Sequence, residues 1–382
     1  MTAALEGVRI VEFANYVAGP YAGMMLADLG AEVIKIEAPG GGDPFRDWGD
    51  GKFSPTFEAL NRNKKSVVLD LKSETGREQA ERIIATSDVL IENFRHGVLD
   101  SLGLGYEAVA ADHPALIYCS ITGFGASGPY RDRPGYDTVG QGMGGLLSLM
   151  TGLDEPKPMG YSFSDHFAGI AACQGILAAL LARERTGRGQ KVDTSLLQAT
   201  VSLTGENAAR YFYDGRVPDR EERTHLAQVY AFVDCDKRPF VIHLSSPTKF
   251  WDGLLAAIGH PEWAEESRFA TRRDRMKNYD ALHAALSDIF ATDNREAWLR
   301  RLLDQDVPAG PLNTLAEVFD DPQVTHLGMK IEIDHPDEGP ISLVAGGYQM
   351  SDTPLTIRSA APRLGQHTDA VLEKLKSRNG QT

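Results

Sequence analysis

The sequence predicts an α/β protein with a Rossmann-like large domain, built on a parallel sheet, and a smaller α+β domain. Three observations predict this fold class. The chain has 382 residues, which exceeds the usual size of one domain. Strand-like and helical segments alternate through its first third, as in a parallel sheet covered on both faces. Further along, two strand-like segments follow each other directly, as in an antiparallel pair.

The elements of the large domain follow from the apolar runs and from the turns between them. Strands are predicted at residues 8–14, 32–37, 67–71, 89–93, 115–122 and 191–193. Helices are predicted at residues 21–29, 76–86, 165–185 and 194–213, the third ending in a glycine-rich stop at residues 186–189. The fingerprint G-x-G-x-x-G is missing after the first strand, so a nicotinamide dehydrogenase is not expected.

The smaller domain is predicted at residues 229–310. It follows a charged linker at residues 214–228, which contains Gly215 and Pro218. Strands at 229–233 and 240–244 form the antiparallel pair, and helices follow at 250–258, 279–290 and 295–304. A return linker at 311–335, with a helix at 315–319 and a strand-like segment at 330–333, leads to a C-terminal segment at 336–382. That segment contains a second strand-like stretch at 341–344 and completes the large domain 1–213.

Composition limits the partners. A formal net charge of −14 disfavours nonspecific binding to nucleic acid or to anionic membranes. The first residues lack the pattern of a signal peptide, and the apolar stretch 167–182 is interrupted and short for a bilayer span. The three cysteines (Cys119, Cys173, Cys235) are widely spaced and show no metal-ligand spacing. A cytoplasmic protein with reduced thiols and no metal is therefore expected.

Asp165 stands at the predicted start of the long helix. The common interpretation is that Ser164 or Asp165 caps the helix by accepting backbone N–H bonds. The functional interpretation rests on the same physics, because a helix N-terminus favours the ionised form of a carboxylate. An ionised carboxylate can act as a covalent nucleophile toward an acyl group.

Three segments suggest an anionic, phosphate-bearing ligand. The turn Ala18-Gly19-Pro20 would let a ligand approach backbone N–H groups at a helix start. A glycine run at residues 40–42 is followed by Arg46, and residues 61–65 contain three cations. Each segment alone is typical of a solvated surface. Together they follow consecutive predicted strands, at the edge where parallel sheets bind ligands.

With these residues in hand, the sequence resembles family III CoA-transferases over nearly its whole length. The matching segments are residues 5–13, 18–20, 29–37, 63–66, 69–72, 92–94, 123–125, 165–169, 176–180, 185–193, 310–311 and 364–368. Each segment alone is weakly specific, whereas all of them in this order are strongly specific.

The resemblance implies CoA transfer from an acyl-CoA donor to an acceptor carboxylic acid, through a mixed anhydride and a CoA thioester on Asp165. CoA is then a substrate, and no permanently bound cofactor is expected. The implied residues of the oxyanion and acyl pocket are Val17, Ala18, Gly19, Tyr136 and Gln141. Those implied to bind CoA are Asn15, Ala18, Lys35, Arg46, Leu69, Lys72, Asn93, Phe94 and Leu102. The resemblance also implies a homodimer in which each chain forms a ring interlocked with the other.

Departures from the family pattern leave the substrates open. Residues of the oxalate-using enzymes are replaced by Val17 and Asn15, and two CoA-binding arginines align with Ser101 and Ala38. Arg46 or Arg95 could take over those phosphate contacts. A dicarboxylate such as succinate is the favoured donor acid.

Two other functions stay open. The first is an α-methylacyl-CoA racemase, which is disfavoured because Tyr136 occupies the position of the histidine base and a tyrosine is a poor general base at neutral pH. The second is a noncatalytic CoA-binding scaffold, which would have no need of a carboxylate at Asp165.

Overall fold

The computed structural model describes residues 3–49, 53–246 and 248–379, so residues 1–2 and 380–382 at the ends of the predicted large domain lie outside the described part. The described chain divides into two compact units. The first comprises residues 1–147, 156–212 and 326–382, and the second comprises residues 148–155 and 213–325.

The strands of the chain, in order, are β1 Arg9–Phe13, β2 Glu32–Glu37, β3 Lys64–Val68, β4 Val89–Glu92, β5 Ile117–Thr122, β6 Lys191–Ser195, β7 Val229–Val233, β8 Pro239–His243, β9 Ala309–Pro311, β10 Lys330–His335 and β11 Gly339–Val344.

The α-helices are α1 Ala18–Asp28, α2 Pro55–Asn61, α3 Glu74–Ile84, α4 Val98–Ser101, α5 Tyr106–Asp112, α6 Asp137–Met143, α7 Leu146–Thr151, α8 Phe163–Thr186, α9 Leu196–Leu203, α10 Gly205–Asp214, α11 Glu222–Ala227, α12 Lys249–Ile258, α13 Arg272–Lys277, α14 Tyr279–Phe290, α15 Arg295–Asp304, α16 Leu315–Asp320, α17 Pro322–His326 and α18 Thr368–Asn379. Short 3₁₀ helices lie at Pro44–Asp47 and Pro261–Ala264.

The first unit is built on a six-stranded sheet in the order β3-β2-β1-β4-β5-β6, and all of its pairs are parallel. β1, β2, β4 and β5 are almost entirely buried, as expected for central strands covered on both faces. One apolar cluster includes residues of α1, α8 and α9, whereas the cluster of the opposite face includes residues of α3, α5 and α18. The predicted parallel α/β sheet is therefore confirmed.

The second unit contains a three-stranded sheet in the order β7-β8-β9, and both of its pairs are antiparallel. Its apolar core combines β7 and β8 with α12, α14 and α15. α14 and α15 have the predicted bounds. A helix, α11, lies inside the segment 214–228 that the sequence indicates as a linker.

Several predicted bounds in the first unit are wrong. β3 begins at Lys64 rather than at Val67, because burial and ion pairing let the cationic start of the segment join the sheet. α1 begins at Ala18 rather than at Tyr21, because Pro20 is tolerated in a first helical turn. The predicted helix 194–213 is two helices, α9 and α10, that meet at Thr204.

α8 is the one helix in the described part of the chain that is long and apolar enough to cross a bilayer. The same length and composition are typical of a core helix in a soluble protein. α8 contributes Ala168, Ala172, Ile176 and Ala179 to the apolar cluster beneath the sheet. It ends at the predicted glycine-rich stop, where Gly187 lies in the left-handed region at φ 67° and its N–H donates to the carbonyl of Arg183.

Candidate active site

A cavity of about 220 Å³ opens beyond the carboxyl ends of β1, β4 and β5. The order of the strands reverses between β1 and β4, which is where parallel α/β sheets commonly bind ligands. The lining of the cavity comes from three stretches of the first unit and from two single residues. They are Asn15, Tyr16, Val17 and Ala18; Asn93, Phe94, Arg95 and His96; Ile121, Thr122, Gly123, Arg131, Arg133, Gly135 and Tyr136; and the single residues Asp165 and Leu196.

Asp165 lies in the first turn of α8 and is half-buried. Neither it nor Ser164 caps the helix: the helix begins at Phe163, two residues earlier than expected, and its N-cap position is Ser162. No residue in the described ranges donates a hydrogen bond to the Asp165 carboxylate. Its oxygens therefore accept no hydrogen bond from residues 3–49, 53–246 or 248–379.

The pKa of Asp165 is raised to about 7, first by burial and then by the negative charge of Asp137. The expectation that the helix start favours the ionised form is therefore wrong, because desolvation disfavours the anion more strongly. Near neutral pH the group exists in both forms. A carboxylate of this basicity is a stronger nucleophile than an ordinary aspartate.

The loop between β1 and α1 forms one wall of the cavity. Helix α1 starts at Ala18, so the N–H groups of Ala18 and Gly19 have no acceptor within the helix. Gly19 packs so closely that an added Cβ would lie 2.4 Å from the Cβ of Ala14. A glycine is therefore required to bring this turn against its neighbours.

Hydrogen bonds hold this loop in an unusual conformation. Asn93 accepts a hydrogen bond from the Asn15 N–H at 2.9 Å and donates to the Asn15 carbonyl at 2.7 Å. The next residue, Tyr16, has a φ of 65°, a value that non-glycine residues seldom adopt. Its N–H donates to the carboxylate of Asp43 at 3.2 Å. The surrounding structure thus enforces local strain beside the cavity, a feature that clusters at functional sites.

A buried ionic network contacts the β1–α1 loop from the neighbouring strands. Lys35 is completely buried and contacts Glu12 at 3.1 Å, Asp43 at 2.9 Å and the carbonyl of Ala14 at 2.5 Å. Lys64 contacts Glu12 at 2.9 Å and the carbonyl of Pro20 at 2.8 Å. Burial is the largest cause that lowers the pKa of Lys64, to about 8, while Glu12 opposes that effect. Both lysines thus tie neighbouring strands to the two ends of the β1–α1 loop.

Five of the nine predicted CoA-binding residues do not line the cavity, and three of these five are packed or paired elsewhere in the first unit. Lys35 is enclosed in the network just described. Arg46 forms a two-point ion pair with Glu37 and lies 3.9 Å over the Phe57 ring. Leu69 is buried in the apolar cluster on one face of the sheet.

The other predicted residues either line the cavity or lie outside its lining. Six of them line the cavity: Asn15, Val17, Ala18, Asn93, Phe94 and Tyr136. Gly19 is not part of the lining, but it follows Ala18 directly in the chain. Lys72 is exposed after β3, and Leu102 is half-buried at the end of α4; neither lines the cavity. Gln141 is fully buried behind it, where its amide donates to the Asp137 carboxylate and to the carbonyl of Tyr161.

Several cationic and aromatic groups that line the cavity have no role predicted from the sequence. Arg131, Arg133, His96 and Tyr16 were not among the predicted residues, whereas Arg95 was named only as a possible phosphate ligand. Arg131 pairs with Asp132 at 3.2 Å, and Arg133 lies 3.8 Å over the Tyr130 ring. Arg95, Arg131 and Arg133 thus bring three guanidinium groups to the lining of the cavity in an acidic protein. The signal available in the sequence was the cluster R-D-R at residues 131–133, which follows β5.

Within the described residues, no group of three or more His, Cys, Asp or Glu side chains comes together as a metal site requires. The cavity instead offers one carboxylate, free backbone N–H groups and guanidinium groups. These groups can attack an acyl carbonyl, stabilise an oxyanion and bind phosphates or carboxylates.

Comparison with known proteins identifies the family. The model of "CoA-transferase family III" matches residues 5–368. A succinate–glutarate CoA-transferase of Agrobacterium fabrum is 37% identical over 385 residues, covering 98% of this chain and 96% of the relative. A succinyl-CoA–D-citramalate CoA-transferase of Chloroflexus aurantiacus is 35% identical, with coverages of 97% and 94%.

A solved structure agrees with these relatives. The crystal structure of a CAIB/BAIF family protein from Brucella suis superposes with a TM-score of 0.87 and 38% identity, and the match covers 98% of this chain and 100% of that one. Over its whole length, the chain therefore belongs to CoA-transferase family III, and it is a transferase that moves coenzyme A between acyl-CoA and carboxylic acids.

Proposed function

We propose that the enzyme works through covalent catalysis on Asp165. The carboxylate attacks the carbonyl carbon of the donor acyl-CoA, the C–S bond breaks, and CoA leaves as a thiolate. The product is a mixed anhydride between Asp165 and the donor acid. The thiolate then attacks the aspartyl carbonyl, releases the donor as a free carboxylate and leaves Asp165 as a CoA thioester.

The acceptor acid completes the cycle by the reverse route. Its carboxylate attacks the aspartyl thioester and displaces CoA thiolate, which forms a second anhydride. The thiolate next attacks the acceptor's acyl carbon, which gives the new acyl-CoA and regenerates the Asp165 carboxylate. Each step exchanges one acyl bond for another, so no external proton donor or oxidant is required.

The single observation that carries the proposal is the position of Asp165. Its unengaged carboxylate lies in one cavity with Ala18, at the start of α1, and with three arginines. The N–H groups of Ala18 and Gly19 are suited to stabilise the tetrahedral oxyanions. Shielding of the carboxylate also favours this chemistry, because water would hydrolyse an anhydride.

CoA is proposed to enter along Asn93 and Phe94, with Lys72 and Leu102 contacting its more distant parts. Arg95, Arg131 and Arg133 supply positive charge where the family's aligned arginines are absent. We infer that one of these guanidinium groups instead meets the second carboxylate of a dicarboxylic acid. The names of the relatives support dicarboxylates, since they include succinate, glutarate and D-citramalate.

A donor and acceptor screen tests the choice of acids. Purified enzyme is incubated with succinyl-CoA, acetyl-CoA or longer acyl-CoAs and with a panel of mono- and dicarboxylates, and new thioesters are identified by mass spectrometry. We expect the fastest exchange with succinyl-CoA and short dicarboxylates. Exchange confined to monocarboxylates would contradict the assignment.

Asp165→Ala should abolish this exchange, because the covalent route has no other nucleophile. The matched control is Asp112→Asn. Asp112 is an exposed residue of α5, and α5 contributes to the apolar cluster on the face of the sheet opposite that of α8. The control is expected to exchange CoA at the wild-type rate. Measurable exchange by Asp165→Ala, at more than about one thousandth of the wild-type rate, would contradict the mechanism.

We also propose a homodimer of interlocked rings and a cytoplasmic enzyme without a resident cofactor. Support for the dimer comes from exposed aromatic side chains on α10, where Phe212 is 79% and Tyr213 is 90% accessible in the single chain. The free, buried thiols of Cys119 and Cys173 are compatible with a reducing compartment.

A further inference from the structure

Asp137, the first residue of α6, lies behind the cavity and contacts the nucleophile's own backbone. Its Oδ1 accepts a hydrogen bond from the N–H of Asp165 at 3.2 Å. Its Oδ2 accepts a hydrogen bond from the side chain of Gln141, one turn further along α6. Gln141 also donates to the carbonyl of Tyr161 at 3.0 Å, two residues before α8 begins. One carboxylate and one amide thus fasten α6 to the start of α8.

Helices α6 and α8 pack closely against each other. An added Cβ on Gly140 would lie 2.9 Å from the Oγ of Ser164 and 3.0 Å from the Cβ of Leu196. Ser164 in turn shares a hydrogen bond of 2.6 Å with Thr200 of α9. The residue beside the nucleophile is therefore held from two sides, and the first turn of α8 has one available position.

Asp137 also acts on Asp165 through its charge. Burial is the main cause of the raised pKa of Asp165, and the negative charge of Asp137 is the second. The other titratable or charged groups around the nucleophile do not appear among those causes. They are Tyr16, Arg95, His96, Arg131, Arg133 and Tyr136 in the cavity, Tyr21 on α1, and His166 and Cys173 on α8.

We propose that Asp137, held by Gln141, is a positioning residue that fixes the first turn of α8 and sets the reactivity of Asp165 through its negative charge. This inference rests on the proposed role of Asp165 as the nucleophile. Asp137 itself forms no bond to the substrate and does not line the cavity.

The chemistry explains why such a neighbour is useful. An ordinary aspartate is a weak base, whereas the thiolate that it must displace is a much stronger one; a free cysteine thiol, for comparison, has a pKa of about 8.5. Attack is then unfavourable because the tetrahedral intermediate expels the carboxylate, the better leaving group, more readily than the thiolate. A second negative charge makes the Asp165 carboxylate more basic and brings the two groups closer in basicity.

The test is the pH dependence of kcat/KM for CoA exchange in wild type and in Asp137→Asn. Asparagine keeps the shape and the oxygen that accepts from the Asp165 N–H, but it removes the charge. In wild type the rate should rise with pH through about 7, as Asp165 ionises. In Asp137→Asn the midpoint should move about one pH unit toward acid. The rate at pH 8.5 should fall about threefold, because the nucleophile is less basic.

Two further variants keep the outcome interpretable. Asp137→Glu retains the charge and should keep the midpoint near that of wild type, and Asp112→Asn should match wild type throughout. If Asp137→Asn does not fold, as judged by circular dichroism, Asp137→Ser provides a second neutral replacement. A neutral variant that loses activity with an unmoved midpoint would overturn the inference, because Asp137 would then be only structural.

Failure of this inference is distinguishable from failure of the proposed function. A covalent adduct on Asp165 in wild type, with coincident midpoints for wild type and Asp137→Asn, would sink the inference alone. The absence of any adduct on Asp165, together with turnover by Asp165→Asn, would sink the mechanism itself.

Discussion

Asp165 combines two properties that oppose each other in a stable protein. Its carboxylate is half-buried and receives no hydrogen bond from the described residues, so the anion is poorly stabilised. The same lack of stabilisation makes the group basic and available for attack. Such a residue is expected to lower the stability of the folded state at the pH where the enzyme works.

The stability of Asp165→Asn should therefore exceed that of wild type at pH 8. The folded pKa of about 7 lies above the value in the unfolded chain, so ionisation opposes folding. As the pH rises from about 4 to above 7, wild type loses stability relative to the neutral asparagine variant. Allowing for partial exposure, the difference should reach roughly 2 kcal/mol, or a few degrees in Tm.

Thermal melts at pH 4.5 and pH 8 measure this difference. The gap in Tm between Asp165→Asn and wild type should be larger at pH 8, whereas Asp112→Asn should show the same small gap at both values. A gap for Asp165→Asn that does not grow with pH would argue against a destabilised anion.

The sequence predicts Asp165 as the nucleophile, but it does not indicate the neighbouring residue Asp137. Asp165 stood out because it begins a long apolar helix that belongs to a strong family motif. Asp137 has no predicted role, because its contact with Asp165 joins residues 28 positions apart and no local pattern reveals it. Lys35 was predicted to bind CoA from the family resemblance, and only the structure shows its buried ion pairs.

At the scale of elements, the site depends on how the β1–α1 loop meets α8. The N-terminus of α1 points its free N–H groups toward the cavity that contains Asp165. Gly169 of α8 allows this approach, because an added Cβ would lie 2.8 Å from the carbonyl of Ala18. Two small residues, Gly19 and Gly169, thus permit the close contact of the two helices.

Gly19→Ala should shift the start of α1 and impair catalysis. Its new methyl group would lie 2.4 Å from the Cβ of Ala14, which is shorter than any real contact. We expect a loss of roughly 1–3 kcal/mol in the free energy of unfolding and a fall in kcat of at least about tenfold.

Gly205→Ala is the matched control, because an added Cβ there meets no atom within 4 Å. Chemical denaturation and steady-state kinetics of both variants check the expectation. Wild-type kcat in Gly19→Ala would show that the position of these N–H groups does not matter to the reaction.

Most elements of the sheet could be predicted because their residues are apolar on both faces. β2 and the helices α14 and α15 have the predicted bounds, and β4 differs by one residue. The predicted start of β3 lies three residues too late because Lys64 and Lys65 resemble a solvated charged turn. Their burial depends on Glu12 and Glu32, which come from other strands, so local patterns could not reveal it.

At the scale of the whole molecule, the single chain leaves several large hydrophobic side chains exposed around the end of α10. Tyr211, Phe212 and Tyr213 project from one end of α10, and Val217 follows at 79% exposure. Exposed aromatic and aliphatic side chains of this kind are typical of a protein–protein interface. The proposed homodimer gives it an occupant.

Analytical ultracentrifugation should therefore give a mass about twice the 41.6 kDa of one chain. Interlocked rings cannot separate without unfolding, so the mass should stay constant on dilution. A species of 41.6 kDa at any concentration in native buffer would contradict the interlocked dimer.

The most direct measurement is the mass of the Asp165 peptide during turnover. Enzyme mixed with succinyl-CoA is quenched in acid, digested and analysed by mass spectrometry, with hydroxylamine added to a parallel sample. We predict a CoA adduct on Asp165 and its conversion to the hydroxamate when hydroxylamine is present. Neither the adduct nor the hydroxamate should form in Asp165→Asn. An unmodified Asp165 under conditions of steady CoA exchange would contradict this prediction.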